Sequence, residues 1–274
     1  MKYSYPVNKL IILGDCRSFK TSPDYLGMGF TEEHIPELIA MATDEVLLWA
    51  DSDTFEVWAP VHAWRVLGLL KAKDAIEPLL KLLSENEDDD WIGNEIPSTL
   101  AKIGPEAIPA LRDFLRNPGL DDETRSYVVP PLEKIGLEHT EYRDKCVEIL
   151  MSVLGEYQNN TAQLNAFIIS SLAYLKAREA TNLMEKAFAE EKVDLTIQGD
   201  WEDVQIELGL LDERQTPAKN YLMENLFGEN WEKERPLNPF SPLSAAPKKI
   251  KSKAKNKRKA AKQARKKNRK KKKR

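Results

Sequence analysis

The dipeptide Ala-Ile occurs at Ala75-Ile76 and again 32 residues later at Ala107-Ile108, with matching apolar residues around both copies. Before each copy runs an apolar helical block, Val66-Leu67-Gly68-Leu69-Leu70 in one case and Thr99-Leu100-Ala101-Lys102-Ile103-Gly104 in the other. After each isoleucine, apolar residues stand three and seven positions on: Leu79 and Leu83, then Leu111 and Leu115. A third copy runs from Ser171-Leu172-Ala173-Tyr174-Leu175 to Ala180, Met184 and Phe188. Leu132-Glu133-Lys134-Ile135-Gly136 begins a fourth with a longer second helix, and Ile35-Pro36-Glu37-Leu38-Ile39 reads as the second helix of an incomplete first unit. The anchor leucines Leu67, Leu100, Leu132 and Leu172 stand 33, 32 and 40 residues apart. A two-helix period of about 30–40 residues predicts stacking, because one pair so short cannot bury its apolar face while neighbours can share a core. The expected fold class is all-α: a right-handed α-solenoid of four to five helix pairs, capped at both ends.

Local signals fill in this frame. Thr31 and Asp74 occupy N-cap positions, and Pro105 stands at a first helical position, where its missing N–H costs nothing. Gly104 and Gly136 are expected to stop first helices in a left-handed conformation, and Gly68 to mark close packing. Pro60 and Pro130-Pro131 are expected to kink first helices. Beyond Val193 the period loosens. Asp194 to Leu211 reads as a cap, with Trp201, Val204, Ile206 and Leu208 over the open end, and Asn220 to Trp231 as a short helix. Pro236, Pro239, Pro242 and Pro247, among Ser and Ala, mark a linker. The expected organisation is a helical body at 1–235, a linker at 236–247 and a disordered tail at 248–274.

Charge separates the last part from the rest. The 27 residues from Lys248 to Arg274 hold 18 of the 41 Lys and Arg and no acid, leaving 23 basic against 44 acidic residues before them. A body near −21 joined to a tail of +18 points to two kinds of partner. The basic residues are Lys248, Lys249, Lys251, Lys253, Lys255, Lys257, Arg258, Lys259, Lys262, Arg265, Lys266, Lys267, Arg269, Lys270, Lys271, Lys272, Lys273 and Arg274. Among them stands no aromatic residue, so no stacking platform selects bases, and RNA or ribosome contact would rest on counterion release. A targeting signal, an anionic lipid surface and the chain's own acidic body are the other readings; about 30 Å of average reach covers the last.

Aromatic residues crowd one stretch: Trp49, Phe55, Trp58 and Trp64, with Trp91 beyond. Core packing explains most of them, while Trp58, His62 and Arg65 are the candidate partner-binding face, since Trp and Arg are common interface anchors. The acidic clusters Glu85 to Asp90 and Asp121 to Glu123 fit helix starts or a surface for basic proteins, and lack the spacing of a calcium loop. Catalytic and metal-binding residues are not indicated, and no cofactor is expected. His34, His62 and His139 form no i, i+4 ligand pair, and neither a phosphate loop nor Gly-x-Ser-x-Gly occurs. Arg17 beside Cys16 can lower a thiol pKa, though a structural cysteine is the plainer reading. Cys16 and Cys146 show no ligand-like spacing and read as reduced thiols. The apolar run Leu10-Ile11-Ile12-Leu13 is too short for a signal core or a membrane span, so a cytoplasmic protein is expected, nuclear in a eukaryotic host.

Residues from about Phe55 to Asn117 resemble HEAT repeats of the phycobilin-lyase-like kind, and the layout resembles a bacterial family of such proteins. The resemblance is carried by Trp58-Ala59-Pro60-Val61-His62-Ala63-Trp64-Arg65-Val66-Leu67-Gly68, Asp90-Trp91-Ile92-Gly93-Asn94-Glu95 and Gly199-Asp200-Trp201-Glu202-Asp203. Some relatives end in a cysteine-rich zinc motif like that of the SecA translocase; this chain has no cysteine after Cys146, so that site does not carry over. The expected function is a non-enzymatic adapter, holding a protein partner on the concave second-helix face and RNA or the ribosome on the tail. The alternative, implied by the resemblance alone, is a lyase- or chaperone-like protein that helps attach a cofactor to a client.

Overall fold

The computed structural model describes residues 3–19, 23–86 and 89–228; the linker 236–247 and the basic tail 248–274 lie outside the described residues. Those described are all-helical, with no strand among them. Helix α1 (Lys9–Ile12) belongs to an N-terminal segment, followed by α2 (Ile35–Ala42) and α3 (Glu45–Leu48). Two pairs come next, α4 (Ala59–Leu69) with α5 (Ile76–Glu85) and α6 (Asp90–Ile103) with α7 (Ile108–Leu115). The short α8 (Asp122–Ser126) leads into α9 (Val129–Glu138) and α10 (Arg143–Leu154), and α11 (Ala162–Tyr174) pairs with α12 (Thr181–Ala189). Last come α13 (Leu195–Gln198), α14 (Trp201–Glu207) and α15 (Tyr221–Phe227). One compact unit covers Met1–Asn225; of a second, Leu226–Arg274, only residues 226–228 are described.

First helices pack on one another in chain order, α4 on α6, α6 on α9 and α9 on α11; α2, expected as a second helix, instead starts this row on α4, and α14 ends it on α11. Second helices do the same, α5 on α7, α7 on α10 and α10 on α12. The anchor leucines Leu67, Leu100, Leu132 and Leu172 are all wholly buried along the first row. Each second helix opens with a 3-10 turn whose middle residue is acidic: Asp74, Glu106, Glu141 and Glu179. Carboxylates there meet the positive end of the following helix.

The ends of the first helices depart from the sequence expectation. Leu70-Lys71-Ala72-Lys73-Asp74-Ala75 is echoed by Leu175-Lys176-Ala177-Arg178-Glu179-Ala180, and in both the lysine takes a left-handed conformation, with φ of 50° at Lys71 and 54° at Lys176. Schellman bonds close each turn, from the Ala72 amide to Leu67 O and from the Ala177 amide to Leu172 O. Gly104 does stop α6, with φ of 90°, but Gly136 does not stop α9, which runs on to Glu138. A Cβ at Gly136 would lie 2.8 Å from Leu175 Cδ2, so glycine there lets α11's end approach. Gly68 acts as expected, with Lys102 lying against the place its Cβ would take. Pro60 and Pro130 stand in the first turns of α4 and α9 and begin those helices instead of kinking them; the interior proline is Pro97 of α6. Thr31 caps through a reciprocal bond with His34, whereas Asp74 lies inside its 3-10 turn and caps nothing.

Arginines tie successive units together. Arg143 Nε donates to Leu175 O, Arg178 Nε to Leu208 O and Arg125 Nε to Leu115 O, each satisfying a carbonyl that a helix end leaves open. At the C-terminal side Val204 and Leu208 are buried, Trp201 meets Phe188 at a tilt with ring centres 5.6 Å apart and α14 lies on α11, with Ile206 half-buried.

Asn165 of α11 is wholly buried and fully bonded. Its amide donates to Tyr157 O at 2.9 Å and Lys192 O at 2.8 Å, while its oxygen accepts from Asn160. Asn165→Leu strands both carbonyls in the interior. A loss of about 2–4 kcal/mol in urea unfolding, with the slope against urea unchanged, is the expected outcome; a change below about 0.5 kcal/mol shows that water reaches these carbonyls.

Candidate functional site

Helix α4 has almost no solvent face. Ala59 to Trp64 and Val66 to Gly68 are all buried, enclosed by α2, α6 and the N-terminal segment. A helix so enclosed tolerates a polar side chain only where every polar atom finds a partner. His62 does: its Nε2 lies 2.8 Å from Gly14 O and its Nδ1 2.8 Å from the Tyr25 hydroxyl. A carbonyl can only accept, so Nε2 carries a proton; burial disfavours a second one on Nδ1, which then receives the Tyr25 hydroxyl. The ring is therefore neutral. Burial pushes its pKa below the ordinary value, while the bond to Gly14 opposes the shift. Gly14 takes φ of 73°, and a Cβ there would meet the Phe55 ring at 3.1 Å.

One turn on from His62 stands Arg65, which grips Glu95 of α6 through two hydrogen bonds, Nε to Oε2 at 3.0 Å and Nη2 to Oε1. Their side chains are only 21% and 17% exposed, and this fork-to-fork geometry is the strong form of the ion pair. The bond to Glu95 drives the Arg65 pKa further up, so it stays a cation. Beside the pair opens a cavity of about 370 Å³, lined by Cys16, Phe19, Tyr25, Arg65, Leu69, Glu95, Ser98 and Lys102. Burial pushes the Cys16 thiol up, against the opposing charge of Arg65. The neighbouring Arg17 does not activate it: that guanidinium is chelated by Asp15 and lies 4.8 Å above the Trp58 ring, which meets Trp91 edge-on at 4.9 Å.

Of the three residues expected on a partner-binding face, only Arg65 reaches this opening. Trp58 is 8% exposed, and His62 is sealed beneath Tyr25 and Gly14. Tyr25, Ser98 and Lys102 had no sequence signal; Glu95 lies in the stretch that carried the family resemblance. A second cavity, of about 540 Å³, is lined by Pro97 of α6, Tyr127 at the end of α8, Pro130, Pro131 and Lys134 of α9 and Phe167 of α11, among others. The first opening is thus walled by α4, α6 and the N-terminal segment, and the second by α6, α8, α9 and α11.

The acidic clusters mostly serve helix starts. Asp89 accepts from the Trp91 and Ile92 amides, Asp121 from the Thr124 amide, and Asp122 pairs with Arg125. Glu87 and Asp88 lie outside the described residues. Among the described residues no group of three or more His, Cys, Asp or Glu stands close enough to hold a metal ion. Cys16 and Cys146 are free and buried, and burial pushes the Cys146 thiol up to about 11. No helix among the described residues is long and apolar enough to cross a membrane. The eighteen basic residues of the tail lie outside the described residues. Comparison with protein-family models, with curated proteins and with solved structures gives no match.

The neutral His62 has a consequence for pH. Its ordinary pKa is about 6.5 and the folded value is lower, so below pH 6.5 the unfolded chain takes up a proton that the folded chain does not. This contribution is flat above that range, and its stability is lost as pH falls from 6.5 toward the folded value. Glutamine reproduces both bonds of the neutral ring without titrating. His62→Gln is expected to lose less stability than the wild type between pH 7 and 5 in chemical-denaturation series. Parallel pH profiles for the two proteins show that His62 carries no such linkage.

Proposed function

We propose that this chain is an adapter: a helical body that holds a protein partner and a polybasic tail, Lys248 to Arg274, that fastens the assembly to RNA, the ribosome or a nucleoprotein. The observation that carries this reading is the charge division, 18 basic residues without one acid behind a body with nearly twice as many acidic as basic residues. A tail of that composition binds a polyanion by releasing its counterions and reads no sequence. Cytoplasm, or a eukaryotic nucleus, is the compartment where it meets such a partner.

For the body, the two rows of helix contacts support an α-solenoid of HEAT-like pairs, in which each unit touches only its neighbours. The partner is taken on the first-helix row, where the larger cavity offers Tyr127 and Phe167 beside three prolines, with Lys134 at its edge. Aromatic anchors in a partly apolar opening are the usual core of a protein-binding surface.

Fluorescence anisotropy with a labelled single-stranded RNA over a salt series tests the tail. Full-length protein is expected to show log K falling against log salt with a slope of about −5 to −6 for about eight phosphates engaged. Residues 1–247 alone are expected to bind at least about a hundredfold more weakly at low salt. Equal affinity of the two proteins places RNA binding on the body and ends the adapter reading in this form.

A further inference from the structure

We propose that the cavity between α4 and α6 is a binding site for a small organic monoanion, a carboxylate carrying an apolar or aromatic body. Among the described residues three charged groups line it, Arg65, Lys102 and Glu95, and Glu95 is already committed to both prongs of Arg65. One positive charge is left over, and it belongs to Lys102. Among the described residues Lys102 makes no ion pair, and neither its ammonium nor the Ser98 hydroxyl one turn earlier on α6 makes a side-chain hydrogen bond. The Lys102 stem is held in place, its Cβ and Cδ lying over Gly68 of α4 where any larger residue would intrude. Lys102 is exposed as a whole, and only partial burial of its ammonium pulls it below its ordinary range, opposed by Glu95 and reinforced by Lys134 and Arg65; an anion beside it reverses that cost.

Phe19 and Leu69 also line the opening, Leu69 being 44% exposed, and give it an apolar wall. A volume of about 370 Å³ takes one small ligand, with its head on Lys102 and Ser98 and its body on that wall. Charge balance selects the class. A carboxylate neutralises the single spare cation, whereas a phosphate dianion leaves excess negative charge beside Glu95. This site is separate from the tail and from the adapter reading, and stands if either fails.

Calorimetry on the full chain, with 4-phenylbutyrate as probe, tests it. Because the tail attracts any anion, the decisive comparison is with variants carrying the same tail. Saturable binding is expected, weakened at least about tenfold by Lys102→Met and kept by Lys102→Arg. The neutral amide of the probe is expected to bind as poorly as the carboxylate does to Lys102→Met. Methionine keeps the stem over Gly68, so its melting temperature should match the wild type; should it fall, Ser98→Ala carries the comparison, with a loss of about threefold. The proposal is overturned by no saturable binding in the millimolar range, by equal affinity for the amide, by preference for phenyl phosphate, or by unchanged affinity in the variants.

Discussion

The rest of this structure depends on the enclosure of α4. A helix buried nearly all round has no water to satisfy its polar groups, so each must find protein, and each partner found fixes a neighbour. Trp64 Nε1 donates to Ala42 O and so sets the end of α2. Thr99 donates to Trp64 O and Arg65 grips Glu95, which together set α6 on the opposite side. His62, bonded to Gly14 and Tyr25, closes the remaining face with the N-terminal segment. Three different neighbours are thus specified by polar groups within a few residues of α4, where apolar contact alone leaves the choice of partner open.

Farther along, the same division of labour is lighter. Ser171 donates to Glu133 across the α9–α11 interface, and burial raises the carboxyl's pKa while that bond opposes it. Arginines at 125, 143 and 178 then close helix ends that would otherwise leave carbonyls unpaired. The opening at Arg65 lies beside one such polar crossing, the Arg65–Glu95 pair.

How much of this could be read in advance follows from range. Apolar spacing within ten residues marks a helix face, so the four pairs and the buried leucines Leu67, Leu100, Leu132 and Leu172 were legible. A left-handed lysine carries no such mark, because Lys71 and Lys176 stop their helices only through the Schellman bonds that buried Ala72 and Ala177 close. Gly136 was misjudged for a related reason: its use is set by Leu175, thirty-nine positions away. The cavity fails the same test. Its floor joins Cys16 and Tyr25 to Arg65 and Glu95, which no local pattern brings together, and His62 read as a surface anchor because nothing nearby in sequence shows Gly14 above it.

The four acidic 3-10 turns stand at unequal intervals, with Asp74, Glu106, Glu141 and Glu179 separated by 32, 35 and 38 residues. Unit length therefore drifts along the chain while the helix-to-helix contacts keep their order. Such drift is harmless when the joint between units is made by side chains reaching over, as Arg143 and Arg178 do, because the linking loop is then not the ruler. Segment 155–161 is held differently, because Asn165 ties Tyr157 O and Asn160 to α11 and so fixes the length of the loop between them.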